Sequence, residues 1–250
     1  MSAQCWVNGE PGTQMAATDR GLQYGDGVFE TMAVRHGRIT LLEMHLQRLM
    51  EGCERLGIPP PSVTSIQNEL NVAVTDQEHA ILKLIVTRGS GDRGYRPAQT
   101  ITPTRILTLY DWPDYPKSWW QDGIHARMCK TTLGSNPQLA GLKHLNRLEQ
   151  VLARAEWSDV DTVQEGLMTD TDGAVIEGTM TNVFALLADG ALMTPAVRNC
   201  GVAGVMRRYI LEKAKQLRVP MRVSKLITPE LDVAREAFVC NSVIGVWQVT

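Results

Sequence analysis

The sequence predicts a mixed α/β protein, of the α+β kind, organised as two domains. Three observations lead there. Apolar runs of β type alternate with segments of helical period along the 250 residues. A stretch at 111–120, with two prolines and three tryptophans, interrupts the periodic segments near the middle of the chain. Hydrophobic residues at 44% and charged residues at 21% supply enough apolar material for a core without disulfides or metal. The expected division is residues 1–115 and 121–250, joined by a linker at 116–120, with a cleft between the two.

The elements follow in order. Gln4–Val7 reads as a short strand closed by the turn signal Asn8-Gly9. Residues 27–34 and 38–41 flank His36-Gly37 and predict a hairpin. Leu42, Leu46, Leu49, Met50, Cys53 and Leu56 recur at helical spacing over Leu42–Leu56, and Pro59-Pro60-Pro61 ends that helix. Residues 62–74 predict a second helix, capped by Ser62. Residues 80–87 and 105–110 are β-type runs around a polar, glycine-rich loop at 88–95.

Beyond the linker, 123–131 predicts a strand and 146–157 a helix, with Leu148, Val151, Leu152 and Ala155 on one side. Short strands are expected at 166–169, 174–177 and 182–187, with Asp172-Gly173 and Asp189-Gly190 supplying turns. Val205, Met206, Tyr209, Ile210 and Leu217 form the stripe of a helix at 204–217. Strands at 219–223 and 237–240 follow.

Several classes of function are disfavoured. A formal net charge of −2 gives no reason to expect nucleic acid or an anionic membrane as partner. No run approaches the length of a membrane span, and the N-terminal stretch lacks the basic-then-apolar pattern of a signal peptide. The five cysteines are odd in number and irregularly spaced, which predicts reduced thiols in a cytoplasmic protein. The five histidines show no zinc-type spacing, so no metal is expected.

Five features suggest chemistry, the first four each beside a plainer reading. Lys143, in the apolar-flanked run from Leu139 to Asn146, is placed to be a desolvated, nucleophilic amine; most such lysines are simply solvated. Glu177 ends a strand and suits a protonated ring nitrogen, or is an ordinary surface acid. Gly201-Val202-Ala203-Gly204 before a helix offers backbone N–H groups to an anion such as a phosphate, although glycine before a helix is common. Arg48 on the first long helix suits a phosphate, or is merely exposed; arginines of the 88–95 loop suit a carboxylate-bearing substrate.

Taken together, Asp19-Arg-Gly-Leu-Gln-Tyr-Gly-Asp-Gly-Val-Phe-Glu30, the Lys143 segment and Glu177-Gly-Thr-Met-Thr-Asn-Val-Phe184 resemble the fold-type IV pyridoxal-phosphate enzymes, over nearly the whole chain. Within that superfamily, Arg88-Gly-Ser-Gly-Asp-Arg-Gly-Tyr95 and the run from Asn136 to Ala153 are most similar to the aminodeoxychorismate lyases. The resemblance implies pyridoxal 5'-phosphate between two domains, the larger C-terminal one carrying its site. It implies that Lys143 holds the cofactor and shuttles a proton, and that Glu177 faces the pyridine nitrogen. Arg48, the amides of Val202 and Ala203 and the Ser242 hydroxyl would meet the phosphate, while Arg93 and Tyr95 approach substrate carboxylates. Asp92 departs from the glycine common at its place in that loop. The implied reaction splits 4-amino-4-deoxychorismate into 4-aminobenzoate, for folate biosynthesis, and pyruvate, in a homodimer. The alternative is an aminotransferase of D- or branched-chain amino acids on the same scaffold; a catalytically silent binding protein is a more distant one.

Overall fold

A computed structural model describes residues 4–158 and 162–250, which fall into two compact units. The first comprises residues 1–113 together with the short segment 143–146; the second comprises 114–142 and 147–250. Lys143 thus lies in a stretch of four residues that packs with the first unit while both flanks belong to the second.

The first unit is a six-stranded antiparallel sheet with helices against it. Its strands are β1 (Gln4–Val7), β2 (Glu10–Pro11), β3 (Gly27–Arg35), β4 (Arg38–Ile39), β5 (His79–Thr87) and β6 (Thr104–Asp111), in the spatial order β2-β1-β6-β5-β3-β4. β5 alternates as a half-buried strand should, with Ala80, Leu82, Leu84 and Val86 buried. Three helices accompany the sheet: α1 (Arg20–Tyr24), α2 (Leu42–Leu56) and α3 (Val63–Ala73). On α2, Leu46, Leu49 and Cys53 form the predicted stripe and pack in one cluster with Val28, Met32 and Val34 of β3. The helix stops at Gly57, whose φ of 63° lets its N–H return to the Cys53 and Glu54 carbonyls. Ser62 caps α3 by accepting from the Ser65 N–H.

The second unit holds two sheets. Its elements are α4 (Ser118–Gln121), β7 (Ala126–Met128), α5 (Leu148–Arg154), β8 (Glu165–Thr169), β9 (Ala174–Gly178), β10 (Asn182–Leu186), β11 (Leu192–Pro195), α6 (Val205–Gln216), β12 (Met221–Ser224), β13 (Leu226–Ile227), α7 (Thr228–Asp232), β14 (Glu236–Asn241) and β15 (Gly245–Val249). The five-stranded sheet runs β12-β11-β10-β14-β15 and the four-stranded sheet β13-β9-β8-β7. Trp247, fully buried, sits among the rings of Tyr115, Trp119 and Trp120 at 5.1, 5.1 and 5.6 Å. The aromatic stretch read from the sequence as a linker therefore packs on the second unit, and Trp120 Nε1 donates to the Ile244 carbonyl.

Three expectations are corrected. The strand at 123–131 shrinks to Ala126–Met128, because Lys130 and Thr131 turn away to donate their N–H groups to the Glu156 carboxylate. The helix at 146–157 shrinks to Leu148–Arg154, because His144 is held in an extended bridge to Val28 and helical geometry starts only afterwards. Its stripe faces outward: Leu148, Val151 and Leu152 are 74%, 60% and 60% exposed, and on this helix Ala153 is the buried residue. The strand at 219–223 shifts to Met221–Ser224, while β11 and β15 were not foreseen.

Candidate active site

Lys143 is presented by a strut of irregular backbone. Asn136 opens a turn, accepting from the Leu139 and Ala140 N–H groups and, through its side chain, from Gln138. Gly141, at φ 79°, then exchanges backbone hydrogen bonds within the second unit: its N–H donates to the Gly201 carbonyl and its carbonyl accepts from the Ala203 N–H. Two residues later the chain joins β3 of the first unit, where Phe29 N–H donates to the Lys143 carbonyl and Leu145 N–H to the Gly27 carbonyl. Gly27 has to be glycine, since a Cβ there would stand 2.5 Å from the Val86 carbonyl and 2.8 Å from Leu145. Lys143 is half-buried, its ammonium 4.4 Å from the centre of the Phe29 ring.

Glu177 is no surface acid. At the end of β9 it is 3% exposed, with Oε2 accepting from the Val202 N–H at 2.7 Å and Oε1 from the Gln150 amide at 3.3 Å. Burial pushes the Arg147 guanidinium down from its ordinary pKa, and the charges of Glu177 and Glu149 partly oppose that. The turn after Glu177 is held by a residue the sequence reading missed. Buried Glu165 accepts from the Thr179 and Thr181 hydroxyls at 2.6 and 2.8 Å and from the Thr179 N–H. Gly178 packs against that carboxylate, where a Cβ would stand 2.8 Å away.

The phosphate expectation meets a more detailed geometry. The N–H groups of Val202 and Ala203 already have acceptors, Glu177 and Gly141. The next turn of chain is α6, whose N-cap Gly204 supplies no side-chain bond. The first N–H groups of a helix, here those of Val205 and Met206, have no acceptor within it. A Cβ on Gly204 would lie 2.0 Å from Asn182 Oδ1, so the start of α6 is tightly fixed. Arg207 anchors it further by donating to Thr194 Oγ1 and the Pro195 carbonyl. Ser242 lies half-buried in the β14–β15 turn, which Asn241 Oδ1 shapes by accepting from Val243 and Ile244 N–H.

In the first unit Arg48 grips Glu30 bidentately, Nε to Oε1 at 2.7 Å and Nη2 to Oε2 at 2.5 Å, with His45 Nδ1 2.6 Å from the same Oε2. Burial pushes the Glu30 carboxyl up, but Arg48 and His45 outweigh it and hold the group below the usual carboxylate range. Glu30 and His45 were not singled out by sequence reading, although Glu30 closes the motif that begins at Asp19.

The 88–95 loop divides into parts. Arg88 is not available to a substrate: it is buried, donating to both Asp26 oxygens and to the carbonyls of Leu56 and Gly57. Arg93 is exposed and Tyr95 is 84% exposed. Arg20 fixes the backbone between and beside them, donating to the Gly94 and Tyr95 carbonyls at 2.8 and 2.9 Å and to Asp26 at 2.9 Å.

The fold and these side chains define a class, and comparison with known proteins agrees. Residues 27–250 match the family described as amino-transferase class IV, and the chain belongs to it. It is 37% identical to the aminodeoxychorismate lyase of Vibrio harveyi, over 98% of this chain and 90% of that one. A crystal structure of 4-amino-4-deoxychorismate lyase from Pseudomonas aeruginosa is 49% identical, with a TM-score of 0.94 over 98% of this chain and 90% of its own. A putative branched-chain-amino-acid aminotransferase of Methanocaldococcus jannaschii is 30% identical over 93% of this chain and 81% of its own.

Proposed function

We propose that this chain is a pyridoxal-phosphate-dependent lyase that converts 4-amino-4-deoxychorismate to 4-aminobenzoate and pyruvate. The observation that carries the reading is near-full-length similarity to two proteins named as that lyase, at 37% and 49% identity, against 30% for the aminotransferase relative.

The residues suit the cofactor. Glu177 offers a buried carboxylate to a pyridinium N–H. Beside it, Gln150 Oε1 is buried without a hydrogen-bond donor, the kind of group a bound ligand satisfies. The start of α6 offers the N–H groups of Val205 and Met206 to a phosphate, and this refines the assignment to Val202 and Ala203, whose N–H groups are engaged within the protein. Arg48 and Ser242 are the further residues that the family resemblance assigns to the phosphate. Arg48 would add its charge while Glu30 holds its fork.

Bound at Lys143, pyridoxal phosphate supplies an electron sink for the pair left on the substrate's amine-bearing ring carbon. Lys143 Nζ would take the proton from that carbon. The carbon–oxygen bond to the enolpyruvyl group would then break, the enolpyruvate released would take up at its methylene carbon the equivalent of the proton that Lys143 removed and leave as pyruvate, and the ring would become aromatic. Glu177 keeps its proton partner charged throughout. Arg93 and Tyr95 hold the substrate carboxylates from the exposed loop.

The assembly is read as a cytoplasmic homodimer. The outward apolar face of α5 supports the dimer, since clustered exposed leucine and valine are rarely left to water. No helix among the described residues is long and apolar enough to cross a membrane.

The test mixes enzymatically made aminodeoxychorismate with the protein and follows 4-aminobenzoate and pyruvate together. Equal release of both, abolished in Lys143→Ala, is expected. Borohydride should also fix the cofactor's mass on the peptide containing Lys143. A cofactor-loaded wild type that releases neither product, but is converted to the pyridoxamine form by D- or branched-chain amino acids, would establish the aminotransferase instead.

A further inference from the structure

We propose that His36, Glu78 and His79 form a binding site for a late first-row divalent cation of the Zn2+, Ni2+ or Cu2+ type. One donor atom from each of the three lies within 4.8 Å of the other two. His36 Nδ1 already stands 2.8 Å from Glu78 Oε1, and the two imidazole rings meet edge-on with centroids 5.3 Å apart. An ion about 2.0–2.2 Å from nitrogen and oxygen donors fits such a cluster after small side-chain rotations.

The donor chemistry selects the ion. Two imidazole nitrogens and one carboxylate oxygen suit zinc, copper and nickel, whereas magnesium and calcium favour oxygen alone. Three protein donors also leave coordination positions to water, and all three residues are exposed, so an ion can enter directly.

The scaffold holds the donors in place. His36 sits in the tight β3–β4 turn at φ 51°, a left-handed conformation fixed by the pairing of Arg35 with Arg38. His79 is the first residue of β5 and pairs with Arg35 across the ladder. Arg35 and Arg38, paired across the turn, are positive charges beside the cluster; the Arg35 guanidinium lies 4.7 Å from the Trp112 ring, a seat on the aromatic face. An ion bound by all three residues would staple the edge hairpin to the start of β5 and so stabilise the folded state by mass action. The active-site residues take no part in it.

The experiment titrates chelator-stripped full-length protein with Zn2+ and with Cu2+ by calorimetry, and records the Cu2+ paramagnetic resonance spectrum. One ion per chain is expected, with hyperfine structure from two imidazole nitrogens. His36→Ala and His79→Ala should each weaken binding at least about tenfold, the scale on which even outer partners of metal sites act. Both positions are exposed, so the variants should keep the metal-free unfolding midpoint of the parent. No binding by the stripped protein overturns the proposal. So does an affinity unchanged in the His36→Ala/His79→Ala double variant, which would move the ion to other ligands such as Cys5.

Discussion

Arg48 and Glu30 form a two-point ion pair inside the first unit, with both contacts at 2.7 Å or less and the carboxylate 2% exposed. Eighteen residues apart in sequence, they join the face of α2 to the middle of β3. His45, one turn earlier on α2, closes on the same carboxylate. The arginine proposed for the phosphate is thus held by a buried acid on the neighbouring strand.

Removing that acid takes a two-point partner from the half-buried Arg48 guanidinium and the shared carboxylate from buried His45. Glu30→Ala should destabilise the protein by about 3–5 kcal/mol, the usual cost of breaking a buried pair by deleting one partner. Urea unfolding of the parent and variant checks this, with cofactor affinity followed in parallel. A variant as stable as the parent would show that Arg48 finds an equal partner elsewhere.

Acid should unfold the protein by way of the same carboxylate and Asp26. At Asp26 burial pushes the carboxyl up, but hydrogen bonds and charge from Arg88 and Arg20 outweigh it and hold it down. Both groups stay ionised in the folded protein further into acid than in the unfolded chain, so the unfolded state binds more protons there and stability rises with pH. Their contribution is complete above the ordinary values of 4.5 for Glu30 and 3.8 for Asp26, and is lost as pH falls through the lower folded-state values. Urea midpoints measured from neutral pH down to about pH 3 should fall steeply below about pH 4.5, and less steeply in Asp26→Asn. A flat profile would contradict this.

Arg20 should govern the substrate loop. It is 4% exposed and bonds the Gly94 and Tyr95 carbonyls, while its guanidinium lies 4.9 Å from the Tyr24 ring. Lysine keeps the charge but not the planar fork. Arg20→Lys is expected to raise KM about tenfold, equivalent to about 1.4 kcal/mol, with kcat nearly unchanged. Trypsin should also cut faster at Arg93. An unaltered KM would detach Arg20 from substrate binding.

Thiol chemistry should be confined to Cys5. Burial pushes Cys53 and Cys240 up to about 12, and Cys129 and Cys200 to about 11. Cys5 is half-exposed. At pH 8 a disulfide reagent should therefore titrate one thiol in the folded protein and all five after denaturation. Rapid modification of two or more would indicate that one of the units opens more readily than its packing implies.

The sequence by itself determined much of the local structure and nominated Lys143 as the amine that would hold the cofactor. The bounds of α2 and the Ser62 cap were legible because helical period and capping are properties of neighbouring residues. Lys143 and Glu177 were nominated because they stand in contiguous motifs that resemble a family. Only the tertiary structure decided what each side chain faces. Periodicity placed Leu148, Val151 and Leu152 on one side of a helix, but not whether that side is covered. It nominated Arg48 without Glu30, Arg93 without the clamp of Arg20, and five scattered histidines without the pair at 36 and 79. These partners lie 18 to 74 residues apart, and they meet because the sheet closes loops whose entropic cost grows only slowly with length. No local spacing rule registers such a meeting; strand register does, and register is set by burial of the whole face.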